Sequence, residues 1–312
     1  MLFRSGRFRE FYQADIDVIG DGKLDISNEA ETPSIIYKAF TALGLKRFQI
    51  RVNNRKILNG FYSMLGLTEQ SGDVMRTVDK LDKIGPDKVR ELLIEGGVAA
   101  EKAEEILKFI AITGSNQEVL TALEGYRGRS EVFDAGLDEL NTVVKYLASF
   151  GVSETHFAVD LTIARGLDYY TKTVFEFKTE TIGAQGTVCG GGRYDGLVEL
   201  MGGQKQPAVG FGMGLERLKL VMEACGAPMP EEPRCDIALI PLGANASVRC
   251  SAMAADLRTD GFYAETDLMN RSLKAQLKYA NKIGARYTMV IGDSELEAGK
   301  ARLKDMDSGE EQ

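Results

Sequence analysis

The stretch Ile163-Ala-Arg-Gly-Leu-Asp-Tyr-Tyr-Thr-Lys-Thr-Val-Phe-Glu-Phe177 decides the fold, because it joins a strand pattern to a cluster of functional side chains. Its second half, Thr171 to Phe177, alternates with a period of two. Two phenylalanines share one face with Thr173, while Val174 and Glu176 share the other. This alternation predicts a β-strand that begins directly after the functional cluster.

Charged and aromatic side chains fill the first half of the stretch, where a buried strand would carry aliphatic residues. Arg165 offers a fixed fork of five donors that suits a carboxylate or a phosphate. Tyr169 and Tyr170 offer flat apolar rings with hydroxyl groups, which suit the walls of a pocket for a small aromatic ligand. An edge strand with a solvated arginine–aspartate pair explains the same residue types about as well.

Two glycine-rich stretches follow. The first is Gln185-Gly-Thr-Val-Cys-Gly-Gly-Gly-Arg-Tyr-Asp-Gly-Leu197, in which residues without a Cβ allow the backbone to approach a ligand or another strand closely. A bulge or tight turn explains one or two of these glycines, but not three followed by Arg-Tyr-Asp. The second is Pro207-Ala-Val-Gly-Phe-Gly-Met-Gly-Leu-Glu-Arg-Leu218, which predicts a strand running into a helix. That junction places Arg217 in the first helical turn, aimed at the site.

Near the beginning of the chain, a second alternating segment has one polar and one apolar face. The polar face is the candidate ligand face and comprises Phe11, Gln13, Asp15, Asp17 and Ile19. The apolar face should pack on the core and comprises Tyr12, Ala14, Ile16 and Val18. An edge strand with a solvated polar face is the alternative.

Together these stretches resemble the histidyl-tRNA synthetases, a class II family. Arg-Gly-Leu-Asp-Tyr-Tyr with Thr-Val-Phe-Glu resembles the first histidine signature, the triple-glycine stretch the second, and Pro207–Leu218 motif 3. Gly6-Arg-Phe-Arg-Glu-Phe-Tyr-Gln13 resembles the second half of motif 2. The resemblance runs from Arg7 to about Leu303. It implies an α+β fold: a class II synthetase-type antiparallel sheet flanked by helices, with a helical insertion and a small C-terminal α/β domain.

The resemblance also implies a reaction and assigns residues to it. Histidine would be activated by ATP to histidyl-adenylate and transferred to the 3′ end of tRNA(His), with Arg165 as the catalytic cation. Asp17 and a tyrosine would read the imidazole ring, and Gln13 would lie nearer the amino group. The expected histidine-binding residues are Gln13, Asp17, Arg165, Tyr169, Tyr170 and Gly191. The expected ATP-binding residues are Arg7, Arg9, Phe11 and Arg217.

Changes in composition suggest five segments. Residues 1–66 form the first part of the catalytic core, 67–150 the helical insertion, and 151–225 the second part of the core. Residues 226–233 form a proline-rich linker, and 234–312 an anticodon-binding-like α/β domain. In that last segment Lys274, Lys278 and Lys282 recur every four residues. They are candidates for weak tRNA contacts, although a solvated helix face explains any one of them equally well.

Composition limits the class of protein further. The chain is 44% hydrophobic and 27% charged, which is typical of a globular protein, and no apolar run approaches the roughly 20 residues of a membrane span. Four scattered cysteines suit a reducing, cytoplasmic location, and the lone His156 makes a Cys/His metal site improbable and is best explained as a structural residue. A net charge of −8 restricts RNA binding to local basic patches. The resemblance implies ATP with Mg²⁺ and a homodimer, and we expect no tightly bound protein metal.

The chain departs from the family pattern at both ends. Motif 1, the Thr-x-Glu stretch that binds the histidine amino group and the arginine of the first motif 2 strand have no counterpart here, and Gly309-Glu-Glu-Gln312 stops short of the expected domain end. We therefore expect the chain as written to fold in large part without catalysing. The alternative function is a non-catalytic synthetase-like paralogue that acts as a regulatory subunit in histidine biosynthesis. A pure RNA-binding module disagrees with the acidic charge.

Overall fold

The structure is a computed structural model that describes residues 10–163, 169–179, 187–230 and 233–312. The chain divides into two compact units, Met1–Met229 and Pro230–Gln312. Each unit contains one sheet with helices around it, as the α+β prediction required. The division into five segments that the sequence suggests stays a prediction.

The first unit is built on a six-stranded sheet. In chain order its strands are β1 (Gln13–Ile19), β2 (Gln49–Asn54), β3 (Phe157–Val159), β4 (Thr173–Lys178), β5 (Thr187–Tyr194) and β6 (Ala208–Gly214). They lie in the order β1-β6-β5-β4-β2-β3, and every neighbouring pair is antiparallel except β2 with β3. The two glycine-rich strands β5 and β6 therefore lie next to each other, and β6 lies beside β1.

Strand register gives the sheet two different faces. Asp17 pairs with Gly210, and Gly210 with Gly192. Two residues along, Asp15 pairs with Gly212, which pairs with Gly190. Directly paired residues share a face of an antiparallel sheet. One face of β5 and β6 is consequently glycine, whereas residues on the other face, including Phe211 and Phe175, are buried in the core.

Helices cover the core face and extend beyond it. Those of the first unit are α1 (Asn28–Ala42), α2 (Arg55–Met64), α3 (Ser71–Val78), α4 (Leu81–Glu95), α5 (Ala100–Ile110), α6 (Asn116–Glu124), α7 (Glu131–Ser149), α8 (Leu197–Leu200) and α9 (Leu215–Cys225). Local sequence explains several of their ends. Ser115 and Glu118 form a capping box at the start of α6, and α4 kinks at Gly85, where φ is +78° before a proline.

The predicted helical insertion shares one core with the sheet. The rings of Phe61 in α2 and Phe109 in α5 stack with centroids 3.8 Å apart, and Phe133 of α7 lies 6.3 Å from Phe109. A single buried cluster contains these rings together with sheet residues such as Val52 and Phe177. The insertion is therefore held to the sheet by apolar packing.

Four local features differ from what short-range patterns indicate. The first helix starts at Asn28, although Pro33 by itself favours a start near Thr32, because the proline removes only one donor inside the helix. Asn53 and Asn54 continue β2 and do not form a turn; Asn54 then caps α2 by accepting a hydrogen bond from Lys56 N. Gly190–Gly192 runs straight through β5 and forms neither a bulge nor a turn.

The fourth concerns β1, which is the sheet edge. Its apolar face was expected to pack on the core, but Tyr12 is 69% exposed and Ile16 36% exposed. Among the residues of that face, Val18 packs against the core. No described element of the first sheet pairs with the outer side of β1.

The second unit has a four-stranded sheet. Its strands are β7 (Ile237–Pro241), β8 (Ala264–Thr266), β9 (Tyr287–Ile291) and β10 (Leu303–Asp305), in the order β10-β9-β7-β8. The pairs β7–β8 and β7–β9 are parallel, and α10 (Ala244–Thr259), α11 (Leu273–Lys282) and α12 (Asp293–Ala298) accompany them. The β-α-β pattern of this unit was predicted, whereas α12 and β10 were not. In the described part of the chain, none of the helices is long and apolar enough to cross a membrane.

Candidate functional site

A cavity of about 410 Å³ lies over the glycine face of the first sheet. This volume is within the range of pockets for small molecules. Its floor and walls come from the three strands β1, β5 and β6, from the segment before β4 and from the start of α8. The lining residues are Gln13, Asp15, Asp17, Tyr169, Tyr170, Gly190, Tyr194, Leu197, Gly210, Phe211 and Gly212.

The glycines make room for the side chains of β1. A Cβ at Gly210 would overlap the Asp17 carboxylate and would lie 2.6 Å from Ile16 O. A Cβ at Gly212 would lie 2.8 Å from Asp15 Oδ1 and 2.9 Å from Gln13 Nε2. The polar side chains of β1 therefore lean across the neighbouring strand and reach the cavity because β6 has no side chains there.

Asp17 and Tyr194 form a hydrogen bond at one end of the cavity. The Tyr194 hydroxyl donates to Asp17 Oδ1 across 177 residues of sequence. Burial, followed by the hydrogen bond and charge of Asp17, raises the pKa of Tyr194 well above its usual value. The hydroxyl consequently stays protonated and holds the carboxylate in one orientation.

Three tyrosines form a wall beside this pair. The rings of Tyr169 and Tyr170 have centroids 4.6 Å apart, and Tyr169 meets Tyr194 edge to face at 5.8 Å. Tyr170 is largely buried against Ile163 and Val174. The wall offers an aromatic surface with hydroxyl groups around it, as the sequence predicted for the two adjacent tyrosines.

Further along β1 the cavity is polar. Gln13 Nε2 lies 3.5 Å from Asp15 Oδ1, so the amide leans toward the centre of the cavity. On the far side of the floor, Glu176 of β4 accepts a hydrogen bond of 2.5 Å from the Thr187 hydroxyl. Carboxylates thus flank the glycine floor on both sides, which favours a ligand with a cationic group.

Arg193 stabilises the floor from below. It is buried in β5, with Nη1 3.1 Å from Glu29 Oε1 and 3.0 Å from Leu24 O, and Nε 2.6 Å from Asp195 Oδ1. Burial raises the pKa of Glu29, which is 0% exposed, while the Arg193 charge opposes that rise. This ion network ties α1 and the loop before it to the strand that carries the cavity glycines.

The predicted ATP residues are placed only in part. Arg217 is in the first turn of α9, as expected, and its Nη1 donates to Thr187 O at 2.9 Å. Phe11 precedes β1 and is 58% exposed. Arg7 and Arg9 lie outside the described residues, and so does the predicted catalytic Arg165.

Gly191 is on the other face of the sheet. It pairs with Phe211 and Phe175, and a Cβ there would overlap Gly210 O. Its backbone therefore approaches another strand, and its neighbour Gly190 lines the cavity in its place. The reason is the period of two, which turns adjacent strand residues to opposite faces.

The sequence reasoning missed Tyr194, Gly190, Gly210, Gly212 and Leu197 as cavity residues. The signal for Tyr194 was present, because it lies two positions after Gly192 and so shares its face. His156 packs against the rings of Tyr37 and Phe48, away from the cavity lining, which fits a structural role. The three lysines of α11 are exposed. Within the described ranges, no group of three or more His, Cys, Asp or Glu side chains is arranged to hold a metal ion.

The mainly antiparallel sheet, its glycine floor and the aromatic wall enclose a cavity whose chemistry suits a small aromatic ligand that carries a cation. Comparisons with known proteins give the family. The profile described as histidyl-tRNA synthetase matches residues 4–218, and that of the anticodon binding domain matches residues 236–312. The chain belongs to the histidyl-tRNA synthetase family.

Individual relatives agree with this assignment. A histidine–tRNA ligase of Clostridium tetani is 40% identical over 99% of this chain and 70% of its own length. The crystal structure of histidyl-tRNA synthetase from Nostoc sp. PCC 7120 is similar with a TM-score of 0.75 and 37% identity, over 98% of this chain and 72% of that one. The predicted family, fold class and type of enzyme are thereby confirmed.

A third neighbour bears on the alternative function. An ATP phosphoribosyltransferase regulatory subunit/histidyl-tRNA synthetase from Bacillus halodurans C has a TM-score of 0.66 over 90% of this chain and 68% of that one. At 20% identity this likeness shows a shared fold and no more.

Proposed function

We propose that this chain carries the site of an enzyme that activates histidine with ATP and transfers the histidyl group to the 3′ end of tRNA(His). One observation carries the proposal: the Asp17 carboxylate, held by the Tyr194 hydroxyl, lies on a glycine floor beside Tyr170. A neutral imidazole has one N–H donor and one acceptor nitrogen. The Asp17 carboxylate would accept from the ring N–H, and another hydroxyl of the tyrosine wall would donate to the acceptor nitrogen. The tyrosine rings would cover the faces of the imidazole.

This arrangement also explains selectivity. An amino acid without ring nitrogens would cover the polar groups of the cavity and leave them without partners, which discriminates strongly without an editing step. We infer that Gln13, with Asp15 next to it, contacts the amino group. The Gln13 amide leans to Asp15, and the rise of two strand residues from Asp15 to Asp17 is about 6.6 Å, which suits the two ends of one bound histidine.

Activation joins the histidine carboxylate to the α-phosphate of ATP and releases pyrophosphate. The protein contributes position and positive charge, because charge spreads over the phosphate oxygens in the transition state. We propose that Arg165 meets the reacting carboxylate and phosphate and that Arg217 meets the end of the triphosphate. Phe11 would cover the adenine, with Arg7 and Arg9 nearby. Mg²⁺ would arrive bound to the phosphates, whose oxygens are its preferred ligands.

We propose the remaining assignments on the strength of the family. Residues 67–150 act as an insertion beside the acceptor end of tRNA, and residues 234–312 bind the anticodon region. Exposure of Lys274, Lys278 and Lys282 on α11 supports a weak contact with RNA phosphates. The working form is a homodimer in the cytoplasm, where its substrates ATP and tRNA are found. A regulatory role has no separate observation in its favour.

The test is ATP–pyrophosphate exchange with each of the twenty amino acids. In a version of the chain extended upstream we expect exchange that depends on histidine, and an Asp17→Ala variant whose KM for histidine rises far more than its KM for ATP. The chain as written should show little or no exchange. ATP–pyrophosphate exchange that depends on an amino acid other than histidine would overturn the proposal. Equal effects of Asp17→Ala on both KM values would make Asp17 a structural residue.

A further inference from the structure

A carboxylate outside the cavity joins the insertion helix α7 to the segment that carries the tyrosine wall. Glu139 Oε1 lies 2.6 Å from Lys56 Nζ and 3.3 Å from Lys172 Nζ, and Oε2 accepts a hydrogen bond of 2.9 Å from Asn54 Nδ2. Its side chain is 16% exposed. Burial raises the pKa of Glu139, but the bonds from Lys56 and Asn54 and the charge of Lys172 outweigh burial and lower it. The group is therefore a carboxylate at neutral pH.

The helix that carries Glu139 is fixed in position. A Cβ at Gly60 of α2 would lie 2.5 Å from Phe133 N, and a Cβ at Gly136 of α7 would lie 2.8 Å from Ile57 N. The two helices thus meet backbone to backbone at two points, one turn apart on α7. Glu139 follows Gly136 by three residues and so extends from a part of α7 that cannot shift without a clash.

Lys172 connects this anchor to the cavity. It follows Tyr170 by two residues, and its carbonyl accepts a hydrogen bond of 2.9 Å from Arg55 N. Thr171 N donates to Arg193 O at 2.8 Å on the other side. Two main-chain hydrogen bonds thus hold the backbone at Thr171 and Lys172. The ion pair between Lys172 and Glu139 of α7 is a third interaction that fixes this segment.

The tyrosine wall is sensitive to the position of this backbone. Tyr170 is 7% exposed, and a Cβ at Gly192 would lie 2.9 Å from its Cδ1. The ring therefore lies directly on the cavity floor, and a shift of a few tenths of an ångström at Lys172 would tilt it. Interiors are packed so closely that such shifts are transmitted to neighbours.

We propose that Glu139 is a positioning residue for histidine recognition: it fixes the tyrosine wall through Lys172 and contacts no substrate itself. This inference rests on the proposed function of the cavity. It gives the insertion helix α7 a part in amino acid selectivity.

The test is a double-mutant cycle on histidine affinity, with Glu139→Gln, Lys172→Met and the double variant measured by calorimetry. Each single change should raise the Kd for histidine by about five- to tenfold while the Kd for ATP stays within about twofold. The double variant should bind no more weakly than the weaker single variant, because residues that act through one contact are not additive. Asp138→Asn is the matched control. Asp138 is the adjacent residue, is 68% exposed and pairs with Arg127, so histidine affinity should not change.

A second readout separates positioning from general destabilisation. With 3-fluorotyrosine incorporated, the ¹⁹F resonance that Tyr170→Phe removes should shift in Glu139→Gln and stay in place in Asp138→Asn. The inference falls if wild-type protein binds histidine and Glu139→Gln binds it equally well, while the proposed function then stands. It also falls if the two single losses add, or if histidine and ATP affinity drop together with the Tm. Failure of the wild-type protein to bind histidine would overturn the proposed function and this inference with it.

Discussion

Tyr194→Phe tests whether the hydroxyl at the end of the cavity orients the histidine-reading carboxylate. The substitution keeps the ring that meets Tyr169 edge to face and removes the donor to Asp17 Oδ1. Without that donor the carboxylate rotates over the floor at Gly210, where no side chain limits it. Its second oxygen then no longer points consistently at the imidazole.

The expected magnitude follows from the contact and its exposure. A hydrogen bond to a charged group contributes roughly 1.5–3 kcal/mol. Asp17 is exposed to solvent in the open cavity, so water replaces part of the lost bond and the low end of this range applies. About 1.4 kcal/mol corresponds to about a tenfold rise in the Kd for histidine. The Kd for ATP should stay within about twofold, because the changed atom faces the amino acid.

Calorimetric titration with histidine, and separately with ATP, measures both values. Tyr12→Phe is the control, since this tyrosine is largely exposed just before β1 and does not line the cavity. Unchanged or tighter histidine binding by Tyr194→Phe would refute the orienting role of the hydroxyl.

Three further predictions concern the floor, its support and the second unit. Gly210→Ala should weaken histidine binding by about tenfold or more, since the new methyl group overlaps the Asp17 carboxylate. Arg193→Met should reduce the free energy of unfolding by about 3–5 kcal/mol in urea titrations, because it leaves Glu29 buried without its cation. In the second unit, burial raises the pKa of Asp267, but bonds from Arg271 outweigh burial and lower it. Its folded pKa is below the unfolded one, so this stabilisation is present above the usual value of 3.8 and is lost as the pH falls through the lowered pKa.

Each of the three predictions has a control or an outcome that would contradict it. Gly196→Ala meets no atom within 4 Å and should bind histidine normally; equal losses at both glycines would indicate a general effect. A loss below about 1 kcal/mol in Arg193→Met would mean that water reaches Glu29. Protection of the β7 and β8 amides against hydrogen exchange should decrease in acid in the wild-type chain and less so in Asp267→Asn. Identical acid profiles would remove Asp267 from the explanation.

Much of the fold could be predicted from the sequence because local side-chain patterns agree with it. Alternation placed Gln13, Asp15 and Asp17 on one face of β1, and the structure places all three around the cavity. The strand-to-helix junction before Arg217 was equally clear, since β6 ends at Gly214 and α9 starts at the next residue. Such short-range features depend on side-chain period and backbone preference, which a sequence displays directly.

Other features depend on register between distant segments. No local sequence pattern around Asp17 predicts a hydrogen-bond partner at position 194. The pair forms because β6 lies between β1 and β5 and aligns the two strands through Gly210 and Gly192. The exposure of Ile16 has a similar cause, because its apolar face is typical of a covered strand and only the strand order puts it at an edge. Strand register also determines which glycine lines the cavity. Gly190 and Gly191 are adjacent and therefore lie on opposite faces of the sheet.

A crystal structure with bound histidine tests the central claim most directly. The account predicts the imidazole ring between Tyr170 and Asp17, with one ring nitrogen within about 3.2 Å of the Asp17 carboxylate. It also predicts the amino group toward Gln13 and Asp15, over the glycine floor. Histidine bound with its ring away from Asp17, or outside this cavity altogether, would contradict the claim that these residues form the histidine site.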